Sequence, residues 1–532
     1  MSQWTDDVSD DLQSTDVPAV QPLIEPRRRS ILQPLLLLIP VIFASVSFLS
    51  GGSAMLTDFA FLLMTILCAV FLALELYHFS ERLGVGGIVL YGGVLVWFCY
   101  DYMGTWFLAS IPHWEMPFTQ RTVAKAAACC TLYVLCLSIG IRFRIGRRFT
   151  RWMTLLPEPP NVNVYFYVML ITQVIGLAPY SVFTQEPFYL ALFHQIIGGR
   201  ASGVGWTVGR TGNLNYNWGG YVAQIIQVGT GGALLAAFCL VFIRQSFLRK
   251  IVCFAVWLLW LLLAFGTGTR GEVVFQILPM LFFIFLRYHL IARRYLRRIS
   301  LRAYIIVVIG MVSTVVMVQT QAYYRNAGFQ EVRFSEVSLT KLQGNDMFTE
   351  SLMGFSVIPE THDYFYDQFP GETIVLPLPN FLFWFVVAPM PRALWTTKPI
   401  DSSWAWYNSI SLGGSGEAGL GMGGTTISQT IFGFWFFRFG VPGVIQGGLF
   451  LGWLMGRSER ALLNHRGRPL TILLSLGVLT WLFRGFRDPS LSELDTLLVG
   501  LAGIVLVILL VRPFAAPSPV GEVAGDTDMS AA

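Results

Sequence analysis

Charge is scarce in this sequence. Only 13% of its 532 residues are charged, whereas a soluble protein of this length would carry about 25%. Hydrophobic residues make up 54% of the chain, and apolar runs of roughly 17–25 residues recur along its whole length. The low charge excludes an ordinary soluble globular protein. The repeated runs predict an all-α polytopic membrane protein with about 12 transmembrane helices.

Recognisable catalytic and metal-binding motifs are also missing. The seven cysteines all lie in apolar runs without metal-ligand spacing, so they predict small buried hydrophobes and indicate neither disulfides nor a metal site. No HExxH, GxSxG or Cys/His pattern occurs, and the run Gly413–Gly424 lacks the spacing of a P-loop or dinucleotide fingerprint. We therefore expect no metal and no other cofactor. The small net charge of +5 is an orientation signal and does not indicate nucleic acid as a partner.

Basic residues orient the predicted spans. Arg27 to Arg29 precede the first apolar run, so the positive-inside rule places the N-terminus in the cytoplasm. The predicted spans cover about 31–50, 57–77, 84–101, 122–141, 162–183, 221–243, 251–266, 272–291, 303–321, 427–456, 469–483 and 494–511. Of the 36 Lys and Arg residues, about 23 fall inside and about 13 outside on this topology. Both termini are therefore predicted to be cytoplasmic, and a kink is expected at Phe439–Gly443 in the tenth span.

The same pattern divides the chain into one membrane domain and two tails. Residues 1–30 and 512–532 are polar and predict disordered cytoplasmic tails. Residues 31–511 predict a single transmembrane domain, with a large outer segment at 322–425 between the ninth and tenth spans. Residues 381–391 within that segment are too few for a full span, which favours a re-entrant or interfacial segment.

Several cations on the outer side are candidates for binding phosphate. Arg270 tops the tight turn of a hairpin between two spans, Arg392 and Lys398 lie in PRALWTTKP, Arg484 lies in the predicted outer loop RGFRD, and Arg325 lies in YYRNAG. A guanidinium offers a fixed fork of donors that matches phosphate oxygens, so these residues form a candidate phosphate clamp. The competing interpretation is interfacial anchoring, lipid-headgroup contact or, for the RGFRD loop, an ion pair with its aspartate.

Aromatic side chains in the same outer segment are candidates for binding sugar. Trp395, Trp404, Trp406 and Tyr407 can stack on sugar rings, or they can form the aromatic belt that is common at membrane interfaces.

Acid–base candidates are concentrated in the stretch PETHDYFYD. A glycosyl transfer needs a group that activates the acceptor hydroxyl, and Glu360, His362 and Asp363 are the first candidates for that role. The other outer candidates are His113, His194 and Glu417. A single loop histidine or carboxylate is equally compatible with a solvated or structural role.

Taken in order, these motifs resemble a known family. TGTRG between two spans, YYRNAG after a span, PRALWTTKP, GMGGT, FRFGVPG and a late RGFRD resemble the Wzy-type polymerases of bacterial O-antigen and capsule repeat units. The resemblance covers roughly residues 250–490. The chain departs from the family pattern at Arg438, where Asn is common before the Phe-Gly pair.

The resemblance implies a glycosyltransferase with a GT-C-like multi-span architecture in the bacterial inner membrane. It would polymerise oligosaccharide repeat units carried on undecaprenyl diphosphate at the periplasmic face, with lipid diphosphate as the leaving group. The implied partners are that lipid-linked oligosaccharide, membrane lipid, and a chain-length regulator and flippase of the same pathway. Three alternatives stay open: an O-antigen ligase-like transferase, a flippase or exporter of lipid-linked glycans, and a structural scaffold.

Overall fold

The computed structural model describes most of the apolar runs of the chain. The described residues are 30–78, 84–99, 120–143, 159, 161, 163–184, 187–197, 219–243, 245–266, 270–294, 309, 313, 430–464, 468–486 and 491–511. Outside them lie both predicted tails apart from residue 30, the ninth predicted span apart from residues 309 and 313, and the whole outer segment 322–425 with its short apolar stretch. The statements below concern the described residues.

These residues form helices and contain no strands. In chain order the helices are α1 (Leu32–Leu49), α2 (Ala54–Tyr77), α3 (Val85–Val94, continued by a π-helical turn at Leu95–Cys99), α4 (Gln120–Gly140), α5 (Asn163–Thr184), α6 (Phe188–Ile197), α7 (Gly219–Phe242), α8 (Phe247–Gly266), α9 (Arg270–Arg294), α10 (Ile431–Asn464), α11 (Pro469–Gly485) and α12 (Leu491–Val511). Seven of the described helices are long and apolar enough to cross a membrane. The fold is therefore a polytopic helical membrane protein, as the sequence predicts.

Helix bounds follow the predicted spans closely, with two differences. The helix α6 lies in a stretch predicted to be a loop, because ten residues are too few to register as a span. The helix α10 continues to Asn464, beyond the predicted end at 456, so two arginines assigned to the inner loop, Arg457 and Arg460, belong to the helix.

The predicted kink in α10 is present. Gly440 has φ 62° and ψ −153°, which interrupts the helix, and Pro442 follows two residues later. A positive φ of this kind costs a glycine little because it has no Cβ. The proline lacks an N–H and cannot continue the hydrogen-bond ladder of the preceding turn. Together the two residues explain why α10 bends at this point.

Glycines let α10 approach α4 closely. Gly448, Gly452 and Gly456 recur every four residues along α10, so they share one face of the helix. A Cβ on Gly452 would overlap the Leu137 carbonyl oxygen of α4, and one on Gly456 would overlap the carbonyl oxygen of Ile141. Without a hydrophobic driving force between helices in lipid, such close packing of backbones supplies much of their association. The contact makes α4 and α10 a central pair of the bundle.

The core is apolar, and the outer faces of the first two helices are also apolar. The described part of the core includes all seven cysteines, which are buried and free of disulfides. Leu35, Ile42, Ile66 and Val70 on α1 and α2 are exposed, at 47–58% of their surface. Exposed aliphatic side chains on long apolar helices are what a lipid-facing surface requires.

Candidate functional site

Arg484 is buried at one end of the bundle. It lies in the last turn of α11, and only 5% of its surface is exposed. Its guanidinium carbon lies 5.6 Å from the centre of the Phe275 ring of α9, a cation–π contact. The helix α11 runs two residues beyond the predicted end at 483, so Arg484 lies in the helix and not in the loop that follows it. A cation in the last turn of a helix is favoured by the negative partial charge of the helix C-terminus.

Arg270 is the first residue of α9, as the predicted hairpin requires. The helix α8 ends at Gly266, and α9 begins at Arg270. The turn between them lies outside the described residues. Phe275, on which Arg484 packs, is five residues further along α9. The N-terminus of α9, with its partial positive charge, therefore lies at the same end of the bundle as Arg484.

The start of α10 joins this end of the bundle. The backbone N–H of Ile431 donates to the carbonyl oxygen of Phe486, just after α11, at 3.1 Å. The ring of Phe98 in the π-helical turn lies 5.5 Å from the Phe432 ring and 5.6 Å from the Phe486 ring. We call this region, which contains Gly266, Arg270, Ile431 and Arg484, the Arg484 end.

Two further cations lie near the start of α4. The Lys125 ammonium lies 5.6 Å from the centre of the Phe436 ring of α10, and the Arg121 guanidinium carbon lies 5.5 Å from that of Phe48. Sequence analysis did not single out either residue. The available signal was a lysine inside the predicted span 122–141, since ionisable residues within spans are rare and usually functional.

Of the remaining predicted site residues, the structure describes only His194. His194 is in α6 and half-buried, with its ring 6.4 Å from that of Phe193. The candidate acid–base residues, the other candidate cations and the candidate sugar-binding aromatics lie outside the described residues: Glu360, His362, Asp363, His113, Glu417, Arg325, Arg392, Lys398, Trp395, Trp404, Trp406 and Tyr407. Among the described residues, no group of three or more His, Cys, Asp and Glu side chains is placed to hold a metal ion.

The opposite end of the bundle holds charged side chains with hydrogen-bond partners in the backbone. Glu459 of α10 is 8% exposed, and its Oε2 accepts a hydrogen bond from the Gly86 N–H at 2.7 Å. The Arg460 guanidinium donates to the Phe143 carbonyl oxygen at 2.5 Å. Arg142 donates to the Ser30 carbonyl oxygen at 3.1 Å. We call this region, where α3 begins and α4 and α10 end, the Glu459 end.

The two ends define a class of protein: a polytopic helical membrane protein with Arg484 and Lys125 at one end, where α10 packs on α4 and α11, and α11 packs on α9. A family model described as O-antigen polysaccharide polymerase Wzy matches residues 228–515, which is more than half of the chain. The chain therefore belongs to the Wzy family of O-antigen polysaccharide polymerases, and the resemblance seen in its sequence is confirmed. The match contains Arg270, Thr430 and Arg484. No curated protein and no solved structure matches the chain.

Proposed function

We propose that this protein polymerises oligosaccharide repeat units carried on undecaprenyl diphosphate, and that it does so at the periplasmic face of the inner membrane. The family supports repeat-unit polymerisation of lipid-linked oligosaccharides. The observation that carries the site assignment is Arg484, a buried arginine at the same end of the bundle as the first residue of α9, Arg270. On this proposal the Arg484 end faces the periplasm.

The proposed reaction transfers the growing chain to a new repeat unit. The bond between the anomeric carbon of the growing chain and its lipid diphosphate breaks, and a bond to a hydroxyl oxygen of the incoming lipid-linked repeat forms. The hydroxyl proton passes to a general base, for which Glu360, His362 and Asp363 are the candidates. The leaving lipid diphosphate gains negative charge as the bond breaks.

Cations near the leaving group would lower the barrier to this step. A guanidinium held in a water-poor site stabilises developing phosphate charge strongly, because little reorganisation is needed. Arg484 meets that requirement, since it is buried and packed on an aromatic ring. Arg270, Arg392, Lys398 and Arg325 are proposed to complete the binding of the diphosphate. Trp395, Trp404, Trp406 and Tyr407 are proposed to contact the sugars.

The test compares two buried arginines at opposite ends of the bundle. Arg484→Lys keeps the positive charge and loses the guanidinium fork, so we expect a fall of about 10²–10³ in rate and loss of polymer. Arg457→Lys is the matched control, since Arg457 is 3% exposed and lies at the Glu459 end. It should leave polymer length unchanged. Both variants are expressed in a strain that lacks the gene, and surface polysaccharide length is read on a gel beside protein abundance.

The same strains separate the competing functions. A polymerase defect should leave single repeat units on the cell surface, because their export and ligation do not need polymerisation. A flippase defect would remove even the single units, and a ligase defect would leave full-length polymer on its lipid. Wild-type polymer in Arg484→Lys, at normal protein abundance, would remove this residue from the mechanism.

A further inference from the structure

Thr430, immediately before α10, has a strained backbone. Its φ is 55°, and it is the one described non-glycine residue with a positive φ. Such a conformation is a genuine outlier for a β-branched residue, because the Cβ substituents crowd the neighbouring backbone. Strain of this kind persists only where the surroundings enforce it, and it is concentrated at functional sites.

The side chain of Thr430 has an unused hydroxyl. The residue is 3% exposed, and its Oγ1 has no hydrogen-bond partner. A threonine directly before a helix ordinarily accepts a hydrogen bond from an N–H of the first turn. Here the hydroxyl makes no such bond, so capping the helix does not explain it. Burying a hydroxyl without a partner lowers stability, and each such group in a native protein calls for an explanation.

The contacts around Thr430 explain how the strain is held. Its carbonyl oxygen accepts a hydrogen bond from the Phe434 N–H at 3.0 Å, the first bond of the helix. The next residue, Ile431, donates its N–H to the Phe486 carbonyl oxygen at 3.1 Å. The Phe98 ring packs on both Phe432 and Phe486, on either side of that bond. Backbone pairing and aromatic packing therefore fix Thr430 beside the end of α11, two residues beyond Arg484.

We propose that the Thr430 hydroxyl donates a hydrogen bond to a diphosphate oxygen of the lipid-linked substrate. Three features that favour an anion lie at this end of the bundle: the hydroxyl donor, the positive partial charge at the N-terminus of α10, and the buried Arg484 guanidinium. A substrate oxygen would supply the partner that the hydroxyl lacks. This inference rests on the proposed function and extends it, because it adds a neutral donor to a site otherwise assigned to cations.

The decisive variant is Thr430→Val, which keeps the β-branched shape and removes the hydroxyl. A hydrogen bond to a charged oxygen is lost, so the turnover rate should fall about ten- to a hundredfold. Stability should stay equal or rise, because a buried hydroxyl without a partner is replaced by a methyl group. Thr430→Ser keeps the donor and should retain activity close to that of the wild type. A lower turnover rate together with an unchanged or higher melting temperature is an outcome that a merely structural role would not produce.

The assay uses the full-length protein in detergent with undecaprenyl-diphosphate-linked repeat units, and measures kcat, KM and the melting temperature. The matched control is Thr480→Val in α11, a buried threonine whose hydroxyl donates to the Leu476 carbonyl oxygen of its own helix at 2.8 Å. It should leave kcat unchanged. Repeating the assay with and without anionic phospholipid identifies the source of the phosphate. An effect of Thr430→Val that appears only with phospholipid would mean a lipid headgroup and would overturn the proposal.

Two results separate this inference from the function on which it rests. Loss of polymer in Arg484→Lys together with wild-type kinetics in Thr430→Val would reject the hydroxyl contact and keep the diphosphate site. Wild-type kinetics in both would reject the site itself. Equal loss of activity and melting temperature in Thr430→Val and Thr430→Ser would assign Thr430 a structural role, which also overturns the proposal.

Discussion

The charged side chains at the two ends of the bundle have different neighbours. At the Glu459 end, the carboxylate of Glu459 accepts from a backbone N–H, and the guanidinium groups of Arg142 and Arg460 donate to backbone carbonyl oxygens. At the Arg484 end, Arg484 and Lys125 lie over aromatic rings, and the Thr430 hydroxyl has no hydrogen-bond partner.

This difference separates holding the fold from binding a ligand. Hydrogen bonds from charged side chains to the backbone connect the helices, which is the chemistry of a fixed scaffold. An aromatic ring holds a cation in place without neutralising its positive charge. The strained backbone of Thr430 at the Arg484 end costs stability, which proteins tolerate where function requires it. The Arg484 end is therefore the end at which we expect substitutions to change activity more than abundance.

The largest effect, a loss of protein abundance, should come from adding a side chain where α4 and α10 pack closely. Gly452→Ala would place a Cβ against the Leu137 carbonyl oxygen, a backbone atom that cannot move without shifting α4. We expect most of the protein to be lost from the membrane, because this contact joins a central helix pair. The matched control is Gly92→Ala in α3, whose Cβ would have its nearest neighbour at 3.9 Å. Abundance is measured by immunoblotting of membranes, and equal abundance of the two variants would contradict the packing argument.

A glycine at the Glu459 end should give the next effect. Gly86→Ala would bring a Cβ to 2.7 Å from Glu459 Oε2, an atom that accepts the N–H of that same glycine. The carboxylate or α3 must move, and the hydrogen bond between α3 and α10 weakens. A lost bond to a charged group costs about 1.5–3 kcal/mol, which a lower melting temperature would report. The turnover rate of the protein that remains folded should be unchanged, and a selective loss of turnover would break the contrast between the ends.

The sequence predicts features that depend on neighbouring residues, and it does not predict features that depend on contacts between helices distant in the chain. Apolar run length and basic flanks predict α1 at 31–50, and the helix is Leu32–Leu49. The kink at Gly440 follows from local glycine and proline chemistry. The burial of Arg484 could not be predicted from RGFRD, because it depends on α9 lying beside α11. The φ of Thr430 is likewise set by the pairing of Ile431 with Phe486, which no local pattern encodes.

A glycine repeat in α10 is a sequence signal for helix packing. Gly448, Gly452 and Gly456 recur at a four-residue period, which is a known sign of close helix packing in membranes. The pattern predicts a packing face on α10, although it does not say that α4 is the partner. The candidate acid–base residues Glu360, His362 and Asp363 stay predictions.

Removing the charge of Lys125 should lower polymerisation several-fold. Its ammonium lies near the start of α4, over Phe436 of α10, and adds positive potential at the Arg484 end. Lys125→Met keeps much of the side-chain length and removes the charge. Lys250→Met is the control, because Lys250 lies in the first turn of α8 and is exposed. The polymerisation rate is measured in membranes as a function of ionic strength. Equal rates in the two variants would exclude Lys125 from the electrostatics of the site.

The smallest effect should come from the ring beneath Arg484. Phe275→Leu removes the aromatic face that lies 5.6 Å from the guanidinium carbon and keeps an apolar side chain. A desolvated cation–π contact contributes on the order of 1–2 kcal/mol, but Arg484 itself remains, so only part of this should appear as lost catalysis. We expect kcat to fall about two- to fivefold, with a minor change in KM.

Phe283→Leu is the control on the same helix, since its fully buried ring packs on Phe238 at 5.6 Å and Phe242 at 5.9 Å. It should lower the melting temperature about as much as Phe275→Leu does and leave kcat unchanged. If both variants lower kcat equally, the ring contributes only packing, and the orientation of Arg484 does not depend on it.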